Sequence, residues 1–364
     1  MTPVQNPMAS TWRGTDRKTW SWQHFILERA DNWHNDNKEF PVFKKTDKLR
    51  WFSQLSVNRW ILTHAAWPVA IHAAWNYYLA SEYGRMPHIF VFGLYAIASL
   101  LNLQLEVLCL NSLAREYAFK HLALHNLPVT DVLDRCGFLD GDKHSRDKVP
   151  DVGINKVFAS IYSIVAVRSA LTVSLSYRKN DPIALSPWIL AEIFLYPIIV
   201  DFFFYIYHRA THEIDGLWKY HRTHHLTKHP NPLLSSYADV EQEVIEMAVV
   251  PFLTFLTMKA FGFPMGFFDW WLCQSYVLYA EAFGHSGIRA MMTAPGPAGS
   301  FLKVLGCELV LEDHDLHHRQ GWRTSGNYGK ATRLWDRIFG TCLGRIEAKW
   351  DNVDYDNKLK MSWF

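Results

Sequence analysis

The chain has 364 residues, of which 49% are hydrophobic, 15% aromatic with 16 Trp, and 20% charged, a balance that suits a membrane body with sizeable polar parts. A formal net charge of +2, with no basic run interleaved with aromatics, argues against nucleic acid as a partner. Five cysteines, Cys109, Cys136, Cys273, Cys307 and Cys342, are an odd number without CxxC spacing and read as reduced, structural thiols.

The first fifty residues are polar and contain no apolar core of a cleavable signal, so membrane insertion falls to internal segments. Trp60 to Ser81, uncharged until Glu82 and rich in Ala and Trp, is the first expected span. Ile89 to Leu105 is the second, joined to it by the turn "EYGRMP". Residues 114 to 152 read as a polar loop with turn formers. Val157 to Tyr177 is a weaker span because Arg168 interrupts it, and Ala184 to Tyr207 is a stronger one that carries Glu192 and Asp201. Carboxylates in hydrocarbon are costly, which makes both acids functional suspects. Met247 to Phe283 is a long apolar stretch broken at "GFPMG", expected as a helical hairpin. The apolar residues of this 247 to 283 hairpin, including the aromatic run Phe267 to Trp271, are expected to wall a pocket open to the bilayer. If all six candidates cross, the N-terminus, the 114 to 152 loop and the histidine-rich segments share one face, which their Lys and Arg mark as cytoplasmic, while Arg178 and Lys179 fall opposite. The expected fold class is all-α: a polytopic membrane helical bundle of four to six spans, capped by cytosolic helices that carry a histidine-rich dimetal site.

The strongest chemical signal is histidine. "HRATHEIDGLWKYHRTHH" contains His208, His212, His221, His224 and His225, and "HDLHH" contains His314, His317 and His318, so two short windows hold eight of the 18 histidines and repeat one H-x-x-H-H spacing. On a helix, residues three and four apart share a face, so each box is expected to aim its rings at a common volume. Neutral imidazole is a ligand for Zn, Cu, Fe and Ni, and eight or nine of them exceed what one ion accepts, which implies two ions. His229 just misses the box spacing, and His24, His34, His64, His72, His88, His121, His125 and His144 read as interfacial or packing residues.

The order H-x-x-x-H, H-x-x-H-H, "GHSG", "HDLHH", "GNYG" and "LWDRIFGT" resembles the fatty acid hydroxylase/sterol desaturase superfamily of membrane non-haem di-iron oxygenases, over about residues 190 to 345. The resemblance implies His208, His212, His221, His224, His225, His285, His314, His317 and His318 as metal ligands. It implies Glu281, one turn before His285, as a further ligand or as the group that holds His285, and Asn327 and Tyr328 as residues that close the site or touch substrate. Where such proteins often carry another histidine downstream of the second box, this chain has Asp239, so that ligand is absent or replaced by a carboxylate. The implied layout is a polar cytosolic region over 1 to 59, membrane helices and a loop over 60 to 183, a catalytic unit over 184 to 345 and a tail over 346 to 364.

The same resemblance implies two Fe ions, with Zn as a substitute in recombinant material, and O2 as co-substrate for hydroxylating a lipid-like or sterol-like molecule. Asp201, Asp313 and Asp315 are candidates to orient imidazole N–H groups or offset metal charge. No nucleotide-binding, haem or flavin module is evident in the sequence, so electrons are expected from a partner such as cytochrome b5 with its NAD(P)H reductase, at the cytosolic face of the endoplasmic reticulum. Other expected outcomes are desaturation or sterol C4-methyl oxidation and, from a different class, a histidine-rich membrane metal transporter.

Overall fold

The computed structural model describes residues 6–30, 41–109, 136–323 and 325–361. Its longer helices are α1 (Trp22–Ala30), α2 (Gln54–Tyr78), α3 (His88–Cys109), α4 (Ile154–Ser176), α5 (Ile189–Glu213), α6 (Val250–Ala260), α7 (Phe267–Gly284) and α8 (Leu311–Gln320). The expected spans all form helices with shifted ends. The fourth begins at Ile189 because Pro187 and the Ser186 hydroxyl, which accepts from the Trp188 N–H at 3.1 Å, set its start. It then runs past the expected membrane limit to Glu213 and so carries His208 and His212 on one rigid rod. Arg168 does not interrupt α4. By length and composition, two helices among the described residues can cross a membrane, Asp151–Ser176 and Ile189–Glu213.

Helix α7 is the hub. It packs against α2, α3, α4 and α5, and a helix enclosed on all sides must be apolar all round. The expected pocket wall is divided: Met247, Val250, Pro251 and Val277 of the hairpin line a cavity, whereas Phe267, Phe268, Trp270 and Trp271 are buried in the bundle centre and do not line it. Trp270 Nε1 donates to the Tyr196 hydroxyl at 2.9 Å, and Trp271 Nε1 donates to the Ala65 carbonyl at 2.9 Å. Outward positions such as Leu62, Ile71, Ile97, Leu190, Ile206 and Leu256 are exposed aliphatics, the pattern of helices solvated by lipid.

A small sheet departs from the all-α expectation. Leu49–Phe52 pairs in parallel with Ala290–Met291 and with Val353–Leu359, so segments that read as polar ends clamp the chain beside "GHSG". Leu49, Met291, Val310, Ala348 and Val353 bury one another beneath it. Cys273, Cys307 and Cys342 are free thiols, as expected, while the side chain of Cys109 lies outside the described residues, as do His34, His121 and His125.

The two suspect carboxylates hold backbone. Glu192 accepts from the Met265 N–H at 2.8 Å, where Met265 sits at φ +42° in the turn that breaks the hairpin. Asp201 accepts from the N–H groups of Lys330 at 2.7 Å, Ala331 at 2.9 Å and Thr332 at 3.1 Å, and from the Thr332 hydroxyl at 2.6 Å. Burial without these partners would be prohibitive; with them, the acid ties α5 to the loop after α8. Asp201→Ala leaves several buried donors unsatisfied, at about 1–3 kcal/mol each, and is expected to lower the thermal unfolding midpoint in detergent by several degrees or abolish folding. An unchanged midpoint would refute this anchoring role.

Candidate metal centre

The nine histidines singled out in the sequence are all buried and converge as two groups. His208, His212, His221, His225 and His317 form one; His224, His285, His314 and His318 form the other; within each, one ring nitrogen per residue lies within 4.8 Å of the rest. Each H-x-x-H-H box therefore divides in the same way. Its first and last histidines serve one group and its middle one the other, because adjacent residues diverge by about 100° around a helical turn. In the third box α8 supplies this turn. The second box is not on an α-helix, contrary to expectation: His221 follows tight turns and His224–Leu226 is a 3-10 turn. His221 nevertheless folds back over α5, with its ring centroid 4.6 Å from that of His208.

Backbone carbonyls set the rings. His208 Nδ1 donates to the Tyr328 carbonyl at 2.7 Å, His212 to Trp322 at 2.9 Å, His317 to Gly326 at 2.7 Å, His318 to Thr227 at 2.9 Å and His285 to Glu281 at 2.9 Å. These bonds place the proton on Nδ1 and leave Nε2 as a bare lone pair. The Nε2 atoms then face each other: His225 lies 3.1 Å from His212 and 3.0 Å from His317, and His285 lies 3.3 Å from His224 and 3.0 Å from His314. A single ring proton cannot serve two lone pairs, and Nε2 of His208 and His318 and both nitrogens of His221 are buried with no hydrogen-bond partner.

A cation at the focus of each group resolves the first problem and gives each orphaned ring a partner for one of its nitrogens. Two nitrogens each about 2.05 Å from one ion stand about 2.9 Å apart at a right angle and about 3.3 Å at the tetrahedral angle, which is the observed spacing. Burial pushes the imidazole pKa of His221, His224, His225, His314, His317 and His318 well below the usual histidine range, and that of His285 to about 4, so the rings are neutral ligands at physiological pH. The donor set therefore fits metal.

The acids expected to orient imidazoles do other work. Asp313 accepts from the Val310 N–H at 2.9 Å and pairs with Arg345 at 2.7 Å, while Asp315 pairs with Arg146 at 2.6 Å and with Arg319. Arg146 fits against Gly287 of "GHSG", at φ +62°, where an added Cβ would lie 2.2 Å from the guanidinium. Asp239 is outside both groups; it pairs with Lys156 and accepts from the Thr223 hydroxyl, which pins the second box from outside. His229 also lies outside and stacks on His144 at 4.5 Å. Asn327, at φ +51°, donates to the Asp313 carbonyl at 2.9 Å and accepts from the Leu343 N–H at 2.8 Å. Tyr328 lays its ring against His208, His212 and His317.

Lys330, Asp336 and the orienting carbonyls escaped the sequence reading. Any residue can supply a carbonyl, so nothing in the sequence marked Trp322 or Gly326. Lys330 Nζ sits 3.1 Å from both Glu246 and Glu281; burial works to lower its pKa, and the two carboxylates outweigh burial, so it stands above the ordinary lysine value. The Glu281 carboxyl lies 3.7 Å from His285 Nδ1, and it is the Glu281 carbonyl that orients that ring. Arg168, Tyr196, Phe204, Glu246, Glu281 and Lys330 line a cavity beside the histidines, with the Phe204 ring tilted against that of His208 at 4.9 Å between centroids.

A fatty acid hydroxylase family model matches residues 193–341. The chain is 37% identical over 332 residues to fatty acid hydroxylase vlmA of Lecanicillium sp, covering 89% of this chain and 87% of the relative. The chain belongs to the fatty acid hydroxylase/sterol desaturase superfamily. It is also 33% identical over 240 residues to methylsterol monooxygenase 2-1 of Arabidopsis thaliana, covering 60% of this chain and 82% of that protein. With very-long-chain aldehyde decarbonylase GL1-8 of Oryza sativa subsp. indica it shares 30% identity over 225 residues, 58% of this chain and 76% of the relative. No solved structure matches. Membership in this superfamily makes the chain an oxidoreductase of the membrane oxygenase type. Because Asp239 stands outside both histidine groups, Asp239→Ala is expected to keep the metal-to-protein ratio of the unaltered protein; metal analysis showing its loss would make Asp239 a ligand after all.

Proposed function

We propose that this chain is a membrane di-iron oxygenase that uses O2 and electrons from an external donor to hydroxylate an unactivated C–H bond of a hydrophobic, lipid-like or sterol-like substrate. The supporting observation is the pair of buried histidine groups whose bare Nε2 atoms face each other at metal-ligand spacing. The five-histidine group would hold one ion and the four-histidine group the other. Two bound iron ions supply oxidising power toward C–H bonds that side chains lack.

The chain's own residues do the rest. The carbonyls of Tyr328, Trp322, Gly326, Thr227 and Glu281 hold the proton of five of the nine imidazoles at Nδ1, so those five rings are oriented by the protein itself. Asn327 and Tyr328 act as positioning residues, the first by fixing the Asp313 and Leu343 backbone and the second by covering the five-histidine group. Glu281 shares Lys330 with Glu246 at the cavity edge rather than ligating metal. The surrounding helices exclude water, and the cavity offers an apolar route along Val200, Val250 and Val277. Names of relatives include hydroxylase, sterol monooxygenase and aldehyde decarbonylase, which supports oxidation of a lipid without choosing one. Transport is the weaker reading, because the ligands gather at one enclosed place instead of along a path. The proposal includes four to six spans, a catalytic unit over 184 to 345, cytochrome b5 with its reductase as donor, and an endoplasmic reticulum location with the histidines facing the cytosol.

Purified protein is expected to hold close to two metal ions, and His317→Ala and His224→Ala each to lose metal together with O2-dependent activity. Unchanged stoichiometry in both variants would overturn the ligand assignment. Zinc in recombinant material is compatible with iron as the working metal, since imidazole sites bind Zn(II) more tightly than Fe(II). In cells, comparison with His317→Ala should show one hydrophobic compound replaced by a product heavier by one oxygen; a product lighter by two hydrogens would make the enzyme a desaturase. Gly216→Cys in a cysteine-free background is expected to react with impermeant reagent from the cytosolic side of sealed vesicles, and exclusive labelling from the lumen would reverse the topology.

A further inference from the structure

We infer that Arg168 is the docking point for the oxygen-bearing end of the substrate, and that this end is an uncharged acceptor, a carbonyl or hydroxyl, rather than a carboxylate. The inference rests on the oxygenase reading above for the word substrate, but its geometry stands alone.

Arg168 lies in the middle of α4 and is 7% exposed. Its Nε donates to the Met247 sulfur at 3.2 Å, a weak acceptor, and among the described residues no carboxylate stands within ion-pair distance of its guanidinium. The acids around it are engaged elsewhere. Glu243 accepts from the Ser160 hydroxyl at 2.6 Å and the Ser163 hydroxyl at 3.0 Å; Glu246 accepts from Gln242 at 2.8 Å and Lys330 at 3.1 Å; Glu281 accepts from Lys330 at 3.1 Å. A guanidinium withdrawn from water with its N–H groups unspent is among the costliest groups to bury, and in a membrane interior it marks a functional position.

The cavity Arg168 faces supplies the reason to keep it. That cavity reaches one histidine group through Phe204, 4.9 Å from the His208 ring, and the other through Glu281, 3.7 Å from His285 Nδ1. A ligand held at Arg168 therefore lies one side chain away from the histidine groups, across Phe204 and Glu281, with Val200, Val250 and Val277 along its apolar part. Formal charge decides what kind of oxygen fits. Three acids line the cavity, Asp201, Glu246 and Glu281, against two cations, Arg168 and Lys330, so the lining is already negative by one. At Arg168 itself a carboxylate would stand among Glu243, Glu246 and Glu281, with Phe204 and Glu281 between it and the histidine groups, whereas a neutral oxygen accepts the free N–H groups without that repulsion.

Binding of tritiated hexadecan-1-ol to the purified, metal-loaded protein in nanodiscs, corrected with protein-free nanodiscs, tests this. Hexadecanamide is expected to displace the alcohol, ionised hexadecanoate to compete at least about tenfold less well, and hexadecane not to compete, since a hydrogen bond to a charged donor is worth roughly tenfold or more. Arg168→Gln should weaken alcohol binding by about tenfold and erase the ranking while metal content stays that of the unaltered protein. Arg168→Lys keeps the charge with fewer donors and should retain part of the preference, so it carries the comparison if the glutamine variant does not fold. Tightest binding by hexadecanoate, no saturable binding by either neutral probe, or an unchanged ranking in a metal-replete Arg168 variant would overturn the proposal. Failure of the oxygenase reading would appear instead as absent metal-dependent O2 consumption, which leaves this binding comparison intact.

Discussion

Nine imidazoles held neutral in a dry volume are the constraint around which this molecule is organised. Each ring has two nitrogens, and burial requires that both be satisfied. Backbone carbonyls from the 322 to 328 loop, from Thr227 and from Glu281 take one proton each from five of the rings, and the opposing nitrogens are left to share a cation. Much of the tertiary structure serves to hold those carbonyls in place.

Carboxylates supply that scaffolding. Asp201 gathers the backbone of Lys330 to Thr332, and Asp336 accepts from the N–H groups of Tyr328 and Gly329, both at 2.8 Å, and from the Thr341 hydroxyl at 2.6 Å. Gly329 passes between them, where a Cβ would come 2.3 Å from the Thr332 carbonyl and 3.0 Å from each of the two acids. Glu312 on α8 accepts from the N–H groups of Glu347 and Ala348 at 2.8 Å and 2.7 Å, which joins the third histidine box to the strand clamp. Acids that look like metal ligands by proximity in sequence thus act one step away, through the backbone they hold.

The membrane side has the complementary design. Helix α7 fills the bundle with aromatics, of which Trp270 and Trp271 have their N–H groups paired, and one set of charged residues gathers at the cavity beside the histidines, where Lys330 binds Glu246 and Glu281 and Arg168 lies apart from any carboxylate among the described residues. Charge in such a place is expensive, which sets this cavity apart from the aromatic core around α7.

Sequence alone determined the chemistry and the membrane character. Histidines at i, i+3 and i+4 are dense enough to be read without coordinates, because imidazole clusters have few uses other than metal, and the apolar segments marked the bundle helices α2 to α7, though not their ends, as α5 shows by running on to Glu213. Tertiary structure alone decided which histidines of different boxes meet, five in one group and four in the other, since that depends on the turn of the second box folding back over α5. It also decided that Asp239 and Glu281 stand outside both groups, and that the chain's end segments pair as strands beside "GHSG". Spacing in the chain reports which side chains share a face; it carries no information about which distant carbonyl, cation or strand that face will meet.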